Sequence, residues 1–156
     1  MPPVTVAPVY EERLGVPLRW WVQSTMLVAV LWLSVAVATP AAVALVVCAI
    51  GLAVMVFSLL LIGSPRVVVA DRTFRAGRAH IGAEHLGSAV ALDAEETRRV
   101  AGVDADARAY LLLRPYLKRA VKVEITDPAD PAPYWLVSTR RPDELAQALT
   151  ALTRTP

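Results

Sequence analysis

The sequence predicts a membrane α-helical hairpin of two transmembrane helices, followed by a small cytoplasmic α+β domain, mostly antiparallel β with a C-terminal capping helix. Three observations predict it. No Asp, Glu, Lys or Arg occurs from Trp20 through Pro65, a gap of 46 residues, while all 16 basic and 14 acidic side chains lie outside it. Thr39-Pro40 divides that gap into two apolar halves. After it the chain breaks into short apolar runs separated by turn residues and ends in an amphipathic stretch.

The gap is too long for one crossing, since a span needs about 20 residues. A charge at the bilayer centre costs roughly 2.5–3.5 kcal/mol on insertion scales, so an uncharged stretch of this length fits lipid. Trp20–Ala38 forms the first span and Ala41–Ile62 the second, with Pro40 in the first turn of the second helix, where a missing N–H is harmless. Arg13 and Arg19 precede the first span, and Arg66, Arg72, Arg75 and Arg78 follow the second. Positive flanks favour the cytoplasm, so both termini are expected there, in a multi-pass plasma-membrane protein. Ala36-Val37-Ala38 has the form of a signal-peptide cleavage site, but Glu11 and Glu12 contradict a basic leader and a second apolar run follows at once. Small residues (Ser34 and Ala38; Ala42, Ala49 and Ala53) are expected to pack the hairpin against itself, or against another membrane protein.

The domains expected are 1–19, an N-terminal juxtamembrane segment; 20–64, the hairpin; and 65–156, the strand-rich domain. Residues 1–8, with three prolines, are expected to be disordered, and Val9–Arg19 to lie along the membrane interface or dock on the strand domain. Within that domain, 66–70 is a strand, Asp71-Arg72-Thr73 a turn, 74–81 a strand broken by Gly77, and 89–92 another strand. Asp93 with Glu96 forms a capping box that opens a short helix ending before Gly102. A strand follows at 107–113, a hairpin turn at Arg114-Pro115-Tyr116-Leu117, and the clearest strand at 120–126, where Val121, Val123 and Ile125 alternate with Lys122 and Glu124. A stiff Asp/Pro loop leads to the strand 134–139. Pro142 opens a helix at its first position, with Leu145, Ala148, Leu149 and Leu152 on one face.

Composition narrows the function classes. Of 156 residues, 56% are hydrophobic and 19% charged, with a net charge of +2, and mean hydropathy is +0.48. One cysteine argues against a disulfide-built secreted fold. No glycine-rich phosphate loop, serine elbow or Cys/His cluster is present, so no cofactor and no metal is expected. Arginine outnumbers lysine 14 to 2 and asparagine is absent, a sign of a GC-rich genome rather than of a nucleic-acid surface. The spans carry no buried carboxylate, lysine or histidine, which speaks against transport by this chain alone.

Strands in hairpin order closed by WLVSTRRPDELAQAL resemble the bacterial pleckstrin-homology-like domains over roughly 66–153, a likeness that implies architecture and no chemistry. Tyr10-Glu11-Glu12-Arg13-Leu14, Pro17-Leu18-Arg19-Trp20-Trp21 and the stretch from Asp104 to Pro142 resemble an actinobacterial family of alanine-rich, two-span membrane proteins classed as a domain of unknown function. That likeness implies a plasma-membrane location and no activity.

The candidate lipid- or partner-binding residues are Arg66, Arg72, Arg75 and Arg78 beside the membrane, Arg114, Tyr116, Lys118 and Arg119 on one turn, and Arg140 and Arg141 between the last strand and helix. The competing readings are topology setting for the first group, a solvated turn for the second, and pairing with Asp104 or Asp106 for the third. Asp104 and Asp106 with a histidine make a weak enzymatic alternative, since Arg108 stands ready to neutralise them. His80 and His85, across Gly82, are poorly spaced for a metal, Ser138 and Thr139 read as strand-end and capping hydroxyls, and Trp135 as core. The expected function is a membrane-anchored, non-enzymatic module whose cytoplasmic domain binds a protein partner or an anionic lipid headgroup. Its partners would be membrane lipids and another membrane protein or a second copy, with no nucleic acid. The alternative is a small accessory subunit packed into a larger membrane complex through the hairpin.

Overall fold

The computed structural model describes residues 9–154 of the chain; the expectation of disorder at 1–8 lies outside them. The chain forms two compact units, one built from residues up to Leu14 together with those from Pro65 onward, the other from Gly15–Ser64. The juxtamembrane segment set apart at 1–19 is therefore divided. Tyr10–Arg13 (β1) belongs to the strand domain, and the helical unit begins at Gly15. The physical reason is pairing: β1 runs antiparallel to Arg66–Ala70 (β2), with Arg13 opposite Arg66, and the Leu14 N–H donates to the Pro65 carbonyl at 3.1 Å.

The helical unit holds α1 (Leu18–Ala38, 21 residues) and α2 (Ala41–Gly63, 23 residues), which pack on each other. Both are long and apolar enough to cross a membrane. No residue of α1 is buried, and in α2 only Ala44 and Leu59 are. The partly covered positions include Trp21, Ser24, Val28 and Val35 on α1 and Cys48, Gly51 and Met55 on α2. Ser34, Ala38, Ala42, Ala49 and Ala53 are exposed, so the expected small-residue packing of the hairpin on itself does not run through them; the small residue buried in α2 is Ala44. Thr25, Ser34 and Ser58 turn their hydroxyls back to the carbonyls of Trp21, Val30 and Val54 at 2.7–3.0 Å, which leaves those side chains satisfied without water.

The strand unit contains two four-stranded sheets. The first runs β1-β2-β3-β4, all antiparallel, with β3 at Thr73–Ala76 and β4 at Ala79–Gly82. The segment expected as one broken strand at 74–81 is a hairpin: Gly77 takes φ +65°, and Ala76 pairs with Ala79 across the two-residue loop. Asp71 and Arg72 both have positive φ, 48° and 56°, closing β2 onto β3 by a turn of the primed kind that matches strand twist.

The second sheet has the order β5-β7-β8-β6, from β5 (Leu86–Leu92), β6 (Tyr110–Leu112), β7 (Ala120–Ile125) and β8 (Tyr134–Ser138). The hairpin expected between β6 and β7 does not form. β6 instead runs parallel to β8, and residues 113–119 cross the end of the sheet to reach β7. Between β5 and β6, Ala94–Ala101 forms α3 with the expected reciprocal cap: the Glu95 and Glu96 amides donate to the Asp93 carboxylate at 2.8 Å, and the Asp93 amide donates to Glu96 at 2.9 Å. Pro142–Arg154 forms α4.

One core joins both sheets and α4: Leu14, Val67, Val69, Phe74, Val121, Val123, Val137, Leu145 and Leu149 are all at most 1% exposed. Trp135 sits in it as expected, its ring 5.1 Å from Tyr110 and 5.8 Å from Phe74. On the far face, Leu92, Ala120, Tyr134 and Leu136 pack with Val100 and Ala101 of α3. With both faces covered, all five residues of β8 are buried, which is why its sequence YWLVS shows no polar alternation.

Candidate functional site

Two polar clusters emerge in the strand unit. The first fastens β1 to the junction of β8 and α4. The Glu12 side chain is 5% exposed. Its carboxylate accepts from the Tyr10 hydroxyl at 2.7 Å, the Thr139 hydroxyl, and the Arg140 backbone amide at 3.0 Å, with the Arg140 guanidinium at 3.5 Å. Arg140 also donates to the Arg13 carbonyl, and Arg141 donates to the Glu11 carbonyl, pairs with Glu144 at 2.9 Å and lies over the Tyr10 ring. Burial, reinforced by the Glu12 charge, pushes the Tyr10 hydroxyl up to about 12. A buried carboxylate with this many donors is a fully satisfied clasp. It also corrects the expectation that Arg140 or Arg141 pairs with Asp104 or Asp106. Those aspartates are held locally, Asp104 by Arg99 at 3.3 Å and Asp106 by Arg108 at 3.0 Å. Arg108, through its side-chain hydrogen bonds, holds the Asp106 carboxyl below the usual carboxylate value.

The second cluster is a groove between α3 and the crossover 113–118, an open cavity of about 400 Å³ lined by Thr97, Arg98, Ala101, Leu113, Arg114 and Lys118, among others. The crossover is set in place from three sides. The Arg114 amide donates to Ser138 at 3.1 Å, the Leu117 amide closes the expected turn on the Arg114 carbonyl at 2.9 Å, and the buried Tyr116 donates its hydroxyl to the Leu14 carbonyl. Burial raises the Tyr116 hydroxyl above its ordinary value. Proline at the second position fixes the backbone of that turn.

Two polar atoms of residues that line the groove, Thr97 Oγ1 and Arg114 Nε, have no exposed surface and no hydrogen-bond partner. Leaving a buried polar group unpaired costs about 1–3 kcal/mol, so each such atom calls for a reason. Among the described residues the Arg114 guanidinium makes one hydrogen bond, from Nη1 to the Leu113 carbonyl at 3.2 Å. Arg98 and Lys118 stand at the rim, exposed and in no ion pair among the described residues. No acidic side chain lines the groove.

The remaining candidates are dispersed. Arg66 faces Glu11 at 3.8 Å, Arg72 and Arg78 occupy the two hairpin turns of the first sheet, and Arg75 stands opposite His80 on β3 and β4. Arg119 donates to the Arg140 carbonyl at 2.9 Å. Tyr116 is buried, its hydroxyl on the Leu14 carbonyl. Among the described residues no group of three or more His, Cys, Asp or Glu could hold a metal ion. The family model described as "Protein of unknown function (DUF3093)" matches residues 9–149. The chain belongs to this family. No curated protein and no solved structure matches this DUF3093 member. The matched span runs from the residue before β1 into α4 and so takes in both the clasp and the groove.

Sequence reasoning reached Arg114, Lys118, Arg140 and Arg141 through their charge. It missed Thr97 and Arg98, which sit on a short helix read only for its cap, and Glu12, whose charge argued for the surface. The available signal for Arg98 was its place one turn into the capped helix, beside an otherwise apolar Ala94/Ala101 edge.

Proposed function

We propose that the chain is a membrane-anchored, non-enzymatic interaction module of the plasma membrane, its strand domain at the cytoplasmic face binding a protein partner or an anionic lipid headgroup. The observation that carries this reading is the insertion of two long apolar helices, with almost no buried residue between them, at the β1–β2 junction of a single sheet. Both ends of the insert leave and return at paired backbone positions, Leu14 and Pro65, which suits a hairpin entering and leaving on one side. Arginines at the two flanks support the cytoplasm as that side. The arginine bias supports an actinobacterial source, and two packed sheets crossed by a C-terminal helix support a pleckstrin-homology-like reading, from which the parallel β6–β8 pair departs.

The test is twofold. The full chain should stay in the membrane pellet through alkaline carbonate extraction. In a Cys48→Ala background, Glu144→Cys should react with a membrane-impermeant maleimide in inside-out vesicles and not in intact cells. Release by carbonate, or labelling from outside, overturns the reading. The accessory-subunit alternative is favoured by one observation, the exposure of Ala42, Ala49 and Ala53 on α2.

A further inference from the structure

We infer that the end of the first sheet from which the chain leaves for the helices, and to which it returns, binds the headgroup of an anionic phospholipid through Arg13, Arg66 and Arg78. This rests on the membrane-anchored reading and names the lipid class that its strand domain recognises. Adjacent strands bring these arginines to one level. Arg13 stands opposite Arg66 in the β1–β2 register, the Arg66 carbonyl accepts from the Gly77 amide at 2.8 Å, and Arg78 is the other residue of that two-residue loop. All three are exposed. Because the next pair along, Leu14 and Pro65, is hydrogen bonded, Arg13 and Arg66 form the non-hydrogen-bonded kind of pair, in which side chains stand closest.

Like charges directly opposite on a sheet repel, and an anion lying between the two guanidiniums relieves that repulsion. The protein supplies little of this itself. Glu11 reaches Arg66 at 3.8 Å with both side chains about half exposed, and no carboxylate pairs with Arg13 or Arg78 among the described residues. The Arg140 guanidinium, on the Arg13 carbonyl at 3.0 Å, is a fourth cation that Glu12 already matches. Covalent geometry says where the anion comes from. Arg66 follows the last residue of α2 by three positions and Arg13 precedes the first of α1 by five, lengths of about 10 and 17 Å in a fully extended chain. Helices that cross a bilayer therefore tether this cluster at its surface. A phosphodiester offers two oxygens to a guanidinium fork. A zwitterionic headgroup brings a cation of its own to the same place, so a headgroup of net negative charge is preferred. Arg72, in the β2–β3 turn, lies at the opposite end of the sheet.

The test titrates the full chain in detergent with phosphatidylglycerol or phosphatidylcholine and reads the affinity of the first bound lipid by native mass spectrometry. Phosphatidylglycerol should bind the unaltered chain more tightly. Arg13→Gln and Arg66→Gln should each weaken phosphatidylglycerol about fivefold and leave phosphatidylcholine unchanged, Arg78→Gln should weaken it by less, and Arg72→Gln not at all. Arg13→Glu should abolish the preference with Tm at or above that of the unaltered chain, since attraction to Arg66 replaces repulsion. A merely structural arginine would lower Tm instead. Equal affinity of the unaltered chain for the two lipids overturns the site and leaves an acidic protein segment as its occupant. A loss in Arg72→Gln matching that in Arg66→Gln also overturns it. Carbonate resistance without lipid preference overturns this inference alone, whereas carbonate release with the preference intact overturns membrane anchoring alone.

Discussion

Glu12 decides more than its place in a four-residue strand suggests. Read along the chain, YEER looks like a solvated segment, and nothing local marks Glu12 as interior. Its burial becomes affordable only when Thr139 and Arg140, more than 120 positions away, bring a hydroxyl, an amide and a guanidinium to it. Residues that owe their environment to such distant partners are invisible to pattern reading, whereas Val121 and Val123 were legible because alternation with Lys122 and Glu124 states their direction directly. The clasp predicts that Glu12→Ala destabilises the strand unit by about 3 kcal/mol, since it leaves the buried Tyr10 and Thr139 hydroxyls one acceptor for two donors and removes the partner of the Arg140 amide and guanidinium. Glu12→Gln, which keeps an acceptor, should cost about half of that. Urea denaturation of the full chain in detergent, monitored by hydrogen exchange in β1 and β8, measures both.

At the scale of elements, both apolar helices, the capped α3, β7 and α4 were readable, because each carries its signal within its own length. Gly77 was read as an interruption, yet a glycine between short apolar pairs serves equally well as the first residue of a hairpin loop, and only the Ala76–Ala79 pairing separates the two. The order β5-β7-β8-β6 was not legible, since the Arg114–Leu117 turn looks the same whether β7 pairs with β6 or leaves a place for β8 between them. The exposed alanines of α2 make their own prediction. If they form a contact with another membrane protein, Ala49→Leu with Ala53→Leu should shift the complex to smaller species on native gels, leaving hydrogen exchange in the strand unit unchanged. Unchanged migration assigns those alanines to lipid.

For the molecule as a whole, the domain is discontinuous in sequence: its first strand is made before the helices and its second after them. Cutting at residue 65, as the composition suggests, would remove β1, expose the β2 edge, and leave Thr139 and Arg140 without Glu12. Replacing Gly15–Ser64 by Asn-Gly instead joins Leu14 to Pro65 across backbone positions already hydrogen bonded. The excised protein should be soluble, monomeric and cooperatively folded, and residues 66–156 alone should not be. Size-exclusion chromatography with thermal melts of the two compares them directly.

The insertion at β1 also imposes an order on biosynthesis. Four residues that must end up in a sheet leave the ribosome about fifty residues ahead of the strand they need, which at about 5–20 residues per second is an interval of several seconds. Throughout that interval the nascent domain has no closed edge. Completion of the fold thus reports that everything between Leu14 and Pro65 has doubled back, and a chain whose helices failed to do so would display an unpaired strand for quality-control proteases to find.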